Sequence, residues 1–331
     1  MTAWSPTKKI EQLSFNEHSL KRATAWTFLD TKTRLLIAAM YANQERKLDG
    51  KAFKKFADWI KKESSAWSYL RSNLRFSVAA NLDLQTEDPK RAFKTMMKIY
   101  DQLVSAGFQR HNGTYLGALS FTLQHPEADQ PFIDEQCERA ITLFRGLKKQ
   151  QYLLTNTYDY PLIVLLALSR EADIDKIVDE VSLKYDALRQ GNWKRGNDLQ
   201  GLTHILSLDE ESHDNEMIQK VNHLYEDWER IMGRVKPAYY SEIGVLAVRK
   251  AVREDLVTVQ ETRDHILSLK SFRWHKDLST QIATQFIAGT DLAESPIEGH
   301  MVTTMAILQQ AEMAAMMASI TASTAATNSN N

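Results

Sequence analysis

The sequence has little of what would build a β-rich, disulfide-stapled or membrane-spanning protein. Twelve glycines and 7 prolines in 331 residues are too few turn formers for a fold of many short strands. The single cysteine, Cys137, excludes an intrachain disulfide and a cysteine-based zinc site, and it suits a reducing compartment. No apolar run reaches the roughly 18–20 residues of a membrane span, and the N-terminus lacks the apolar core of a signal peptide. A formal net charge of −1 argues against binding nucleic acid or anionic membrane through bulk charge. The expectation is a soluble cytoplasmic protein.

Catalytic motifs are scarce as well. There is no phosphate-cradling glycine loop, no Gly-x-Ser-x-Gly elbow, no His-Glu-x-x-His and not the two Glu-x-x-His motifs of a di-iron bundle. Glu210-Glu211-Ser212-His213-Asp214 could chelate a hard cation, but an acidic loop ahead of a helix explains it equally well. His204, His213 and His223 match no metal-ligand spacing. Asp159-Tyr160-Pro161 reads as a helix cap, and Cys137 as a packed residue. We therefore expect no cofactor, no metal site and no catalytic residues.

What the sequence does have is helical periodicity almost throughout. Phe53, Phe56 and Ile60 form one stripe; Ile177, Val178, Val181, Tyr185 and Leu188 form another. Spacings of three and four place such residues on one helix face, whereas a half-buried strand would alternate. Prolines 6, 89, 161, 237 and 296 stand just ahead of periodic segments, where a missing N–H is harmless, and Pro126 and Pro131 bracket a loop. Asp88-Pro89 reads as an N-cap and first helical residue; Thr258…Glu261 and Ser295…Glu298 read as capping boxes.

A short apolar helix rich in small residues recurs about every forty residues, near Met40, Ala80, Leu119, Leu166, Ile205, Ala247 and Ala283. A longer amphipathic helix follows each of the first six. A bulky apolar residue then precedes the next unit, often after a glycine: Trp67, Gly107-Phe108, Tyr152, Gly191…Trp193, Gly233…Val235 and Trp274. A glycine ending a helix with an apolar residue folding back is a left-handed C-cap. The period suits HEAT- or armadillo-like pairs, which bury their apolar faces by stacking.

The expected fold is all-α: an α-solenoid of six to seven helix pairs over residues 1–295, with a lead-in segment at 6–29. The alternative is a closed α/α toroid. A Met-rich capping helix is expected at 296–322 and a disordered tail at 323–331.

Loops inside a pair are acidic, while loops between pairs are basic and aromatic. Trp67, Arg71, Arg110, His111, Trp193, Lys194, Arg195, Arg273, Trp274 and His275 would share one rim. Helix dipoles alone gather carboxylates at N-termini and cations at C-termini. The functional reading of that rim is a binding surface for an extended acidic partner, a phosphorylated segment or single-stranded nucleic acid, through charge and stacking, with an unknown protein or peptide the expected partner and nucleic acid not favoured. A non-enzymatic scaffold or peptide-binding protein is the expected role. An enzyme or small-ligand binder with a central toroid cavity is the alternative, and oligomeric state stays open.

Three segments carry a family resemblance: Leu35-Leu36-Ile37-Ala38-Ala39-Met40-Tyr41-Ala42, Phe76-Ser77-Val78-Ala79-Ala80 and Tyr100…Leu103-Val104-Ser105-Ala106-Gly107-Phe108. With the overall layout, they make the chain resemble an uncharacterised helical family of Bacillus-like bacteria, domain of unknown function 4003. The resemblance implies a cytoplasmic bacterial protein and assigns no functional residue.

Overall fold

The structure is a computed structural model, and it describes residues 6–289 apart from 26, 28, 152, 153, 170 and 210–213. Among the described residues there are fourteen α-helices, two short 3-10 turns and no strand. In chain order the helices are α1 (Pro6–Ala23), α2 (Thr31–Asn43), α3 (Gly50–Glu63), α4 (Leu74–Gln85), α5 (Pro89–Ala106), α6 (Asn112–Gln124) and α7 (Gln130–Gln150). They continue with α8 (Tyr160–Ala167), α9 (Ile174–Leu188), α10 (Asn197–Leu206), α11 (Asp214–Met232), α12 (Tyr240–Val248), α13 (Arg253–Ser268) and α14 (Lys276–Ala288).

Two kinds of helix alternate. Odd-numbered helices run 14–21 residues and are amphipathic. Even-numbered helices run only 8–13 residues, and the seven centres read from the sequence fall one on each of them. In α3, Phe53, Ala57 and Ile60 are buried while Lys51, Lys55 and Lys62 face water. In α6 every residue from Gly113 to Leu123 is buried, as is all of α8. A helix apolar on every side must be surrounded, so α6 and α8 lie in the interior of the second unit. Small residues let short helices approach: a Cβ on Gly244 of α12 would sit 2.7 Å from Leu202 Cδ1 of α10.

Helix ends follow local chemistry. Asp30, Asp49, Asp88, Asp129 and Asp173 each accept a backbone N–H from the first turn that follows. The acidic loops inside the pairs thus hold several helix caps. Helix α5 ends at Gly107 (φ 122°), with Phe108 N–H donating to Leu103 O at 3.0 Å and Gly107 N–H to Val104 O at 3.1 Å.

Three local expectations are corrected. Gly191 is not among the positive-φ residues, and its N–H simply donates to Leu188 O. Thr258 lies inside α13, where its hydroxyl donates to Glu254 O, so it opens no capping box. Pro131 sits in the first turn of α7 rather than at a loop edge. The Ser295…Glu298 box, the helix at 296–322, the tail and Pro296 lie outside the described residues, as do Tyr152 and Glu210–His213.

The described chain divides into two compact units. The first takes residues up to Phe93 together with Thr262–Phe286; the second takes Lys94–Glu261 and the few residues from Ile287. In the first unit, Asn16 is fully buried, donating to Arg46 O and accepting from Leu48 N–H at 2.8 Å. Lys9 is also buried, and its ammonium donates to Asn43 Oδ1 at 3.0 Å and to Phe286 O at 2.9 Å. The first helix of the chain therefore holds the last turn of α14.

In the second unit one arrangement occurs twice. Phe108 meets the Tyr160 ring edge-on at 4.6 Å, and the Tyr160 hydroxyl accepts from Gln109 N–H at 3.4 Å. Trp193 meets Tyr240 edge-on at 4.7 Å, and the Tyr240 hydroxyl accepts from Lys194 N–H at 2.7 Å. Each tyrosine opens a short helix and closes over the loop ahead of the preceding short helix. Edge-to-face pairs of this kind add about 0.5–1.5 kcal/mol beyond area burial.

Candidate functional site

The ten rim residues divide evenly between the two units. Trp67, Arg71, Arg273, Trp274 and His275 belong to the first; Arg110, His111, Trp193, Lys194 and Arg195 belong to the second.

In the first unit the two tryptophans are open to solvent, Trp67 at 96 % and Trp274 at 81 %. Large apolar rings are rarely left so bare. Arg273 lies over the Trp274 ring at 5.2 Å from its centroid, a cation–π contact. Arg71 is exposed and donates to Lys61 O at 3.1 Å, which holds the guanidinium beside the loop that carries Trp67. His275 is half-buried, and burial together with the nearby Lys32 ammonium keeps its pKa below the ordinary value. Lys32 opens α2, whose cap Asp30 also accepts from Asn73 Nδ2 at 3.3 Å. The start of α2 is thus bonded to the loop that carries Trp67 and close enough to the loop that carries Trp274 for Lys32 to act on His275.

The second unit treats its members differently. Trp193 is only 3 % exposed, and its indole N–H donates to Asn222 Oδ1 at 2.7 Å. It belongs to the core, and its place on an exposed rim is corrected. His111 caps α6, its Nδ1 accepting from Gly113 N–H at 3.2 Å, and its ring meets Tyr158 edge-on. Burial lowers the His111 pKa. Lys194 and Arg195 are exposed; Arg110 is exposed beside the Tyr100 hydroxyl.

A positional rule explains the split. At four of the seven short helices the residue four positions before the helix is apolar and folds inward: Leu70 before α4, Phe108 before α6, Trp193 before α10 and Phe272 before α14 are all buried, whereas Thr27, Asn156 and Lys236, at that position before α2, α8 and α12, are polar and are not. Trp67 and Trp274 stand off that position, so Leu70 and Phe272 fill the seats the sequence reading gave to them.

Other chemistry is sparse. Cys137 is buried, and burial pushes its thiol up to about 12, so it packs rather than reacts. Asp159 stands at the cap position of α8 but turns back to accept from Asn156 N–H at 2.7 Å, and burial raises its carboxyl to about 7. His204 is fully buried whereas His223 is exposed, and His213 lies outside the described residues. Among the described residues no three of His, Cys, Asp and Glu are grouped to hold a metal ion. No helix among them is long and apolar enough to cross a membrane.

Fold and surface together describe an all-helical protein of alternating short buried and long amphipathic helices, with bare aromatic and basic groups on the loops ahead of the short ones. The chain belongs to the family described as protein of unknown function (DUF4003), which matches residues 16–323. It is similar to the uncharacterized protein YeaA of Bacillus subtilis (strain 168), 26 % identical over 311 residues that cover 93 % of each chain. No solved structure matches it.

Proposed function

We propose that the chain is a non-enzymatic helical-repeat binding protein, and that the loops ahead of its short helices take an extended acidic protein segment. The observation carrying this reading is the pair of bare tryptophans in the first unit. Lys32, Arg71, Arg273 and Lys276 are exposed around the same loops, with Asp277 the one exposed acid beside them in 270–277. Flat rings accept apolar side chains or peptide planes, and flanking cations select carboxylates. The twofold recurrence of the Phe108–Tyr160 and Trp193–Tyr240 arrangement supports reading the helix pairs as repeats.

The test is affinity purification of the tagged full chain from cells that make it, beside the double variant Trp67→Ala/Trp274→Ala. A stoichiometric protein lost from the variant supports the reading. Recovery of single-stranded nucleic acid instead, or of nothing that depends on the tryptophans, removes it.

The second reading, a small-ligand binder whose helix pairs close into an α/α toroid, is favoured by Lys9. In an open row the first and last pairs stand apart, whereas here α1 and α14 share a unit and a buried hydrogen bond. Small-angle scattering separates the two, because an open row has a longer maximum dimension than a ring of the same mass.

A further inference from the structure

His275 lies within the surface that carries the bare tryptophans. It follows Trp274 and stands just ahead of Lys276, the first residue of α14, and both of these chain neighbours are exposed. Its N–H donates to Phe272 O at 2.8 Å and its carbonyl accepts from Ser279 N–H at 2.8 Å. The buried Phe272 and the first turn of α14 therefore fix the backbone that presents the half-buried imidazole.

The charges around this ring are mostly of one sign. Lys32 acts on it from the start of α2, and its own loop adds Arg273 and Lys276. Elsewhere in the same unit cations are matched: Arg34 with Glu17 at 3.2 Å, Arg46 with Asp83 at 3.0 Å and Lys54 with Asp58 at 2.5 Å. Among the described residues Lys32, Arg273 and Lys276 enter no ion pair. Arg273 lies instead over the Trp274 ring, and a guanidinium stacked in this way keeps its N–H edge for an acceptor. The carboxylates of the two elements are Asp30, which accepts from Thr33 N–H and Asn73 Nδ2, and Asp277 in the first turn of α14. Neither offsets the effect on the imidazole, which burial and then Lys32 hold below the ordinary histidine value.

We infer that binding of an acidic segment at this surface is proton-linked through His275: as carboxylates of the segment meet Lys32, Arg273 and Lys276, the imidazole takes up a proton and joins the contact as a further cation. The inference rests on the function proposed above for these loops and adds the regulation of that surface. Opposite charge brought beside a histidine favours its charged form, and neutralising Lys32 removes a repulsion as well. Because the bound form then holds the proton more tightly than the free form, the added affinity is fully present below the free pKa and is lost as pH rises through the bound one. Mild acidification strengthens the contact, and at alkaline pH only the lysines and arginine hold the segment.

The experiment titrates the full chain into rhodamine-labelled polyglutamate and reads fluorescence anisotropy at fixed ionic strength. The range is about pH 5.5 to 7.5, where glutamate carboxylates stay ionised. Wild type should bind about three- to tenfold more tightly at the acid end, the size expected for one opposite charge beside a partly exposed imidazole. His275→Asn, neutral throughout, should bind with equal affinity at both ends. Calorimetry on wild type, in buffers of different ionisation enthalpy, counts the protons taken up on binding and decides the matter even where the variant does not fold. Equal affinity across the range, no proton uptake, or a pH dependence kept in His275→Asn overturns the proton link and leaves the binding surface standing. No binding at any pH, or binding untouched in Trp67→Ala/Trp274→Ala, removes the surface and the proton link together.

Discussion

Trp193 and Trp274 both stand close ahead of a short helix, beside basic residues, and they meet opposite fates. Trp193 lies four positions before its helix and is enclosed by Tyr225 and Tyr240; Trp274 lies two before its helix and is 81 % exposed. The same holds for Phe108 in the second unit against Trp67 in the first. Composition and approximate position do not separate such residues. The register against the helix start, and a tyrosine arriving from the next short helix, do. Rings that the packing consumes support the fold, and rings that it leaves bare are available to a partner.

The sharpest break in this comparison is truncation. Trp193→Ala removes a fully packed indole and strands the Asn222 amide oxygen, and it should destabilise by about 3–5 kcal/mol in chemical denaturation. A loss under 1 kcal/mol would mean that Trp193 is no more engaged than its exposed counterparts.

Next is pH, because the buried side of the comparison also holds titratable groups. His204 has a folded pKa near 4, below the ordinary histidine value, so unfolding takes up a proton between those values. Its contribution to stability is present above about pH 6.5 and is lost as pH falls toward 4. Asp159 has a folded pKa near 7, above the ordinary carboxyl value, so its contribution is present at low pH and is lost as pH rises toward 7. The two slopes oppose each other and flatten the wild-type profile. Asp159→Asn should expose a rise of about 3 kcal/mol from pH 4 to 6.5, the size expected for a shift of two to three units. His204→Leu should expose the opposite slope. Urea midpoints measured across that range decide both.

A smaller effect sharpens the matched tyrosines. Tyr240→Phe leaves the Lys194 N–H without its acceptor and should cost about 1–2 kcal/mol. Tyr160→Phe, whose bond to Gln109 N–H is longer at 3.4 Å, should cost less. Equal losses would show that ring packing alone sets the arrangement.

The smallest effect lies on the exposed side. Trp67→Ala and Trp274→Ala should each leave stability within about 0.5 kcal/mol of wild type, while the fluorescence red edge that marks solvated indoles diminishes.

Much of this fold is legible in the sequence because it is local. Helical spacing, caps such as Asp88, and the small-residue runs around Ala80 and Leu119 depend on neighbours within a few residues, and each named centre lies on a short helix. The rim was legible only in part. Which aromatic turns inward at a loop depends on register and on a ring supplied by a later helix, as Tyr240 is for Trp193. Thr258 failed as a capping residue because its helix had already begun at Arg253. Lys9 meeting Phe286 O, and Gln200 meeting Thr155, join residues far apart in the chain that no spacing rule pairs.

The discontinuity of the first unit bears on how the chain is made. Helices α1 to α4 are made before the second unit, yet the carbonyl that receives the Lys9 ammonium belongs to Phe286, 277 positions further along the chain. The stretch Lys94–Glu261 is continuous and can collapse as it emerges, whereas the first unit is complete only once Thr262–Phe286 has been made. Completion of the first unit is therefore the higher-contact-order event, since it joins segments separated by the whole of the second unit.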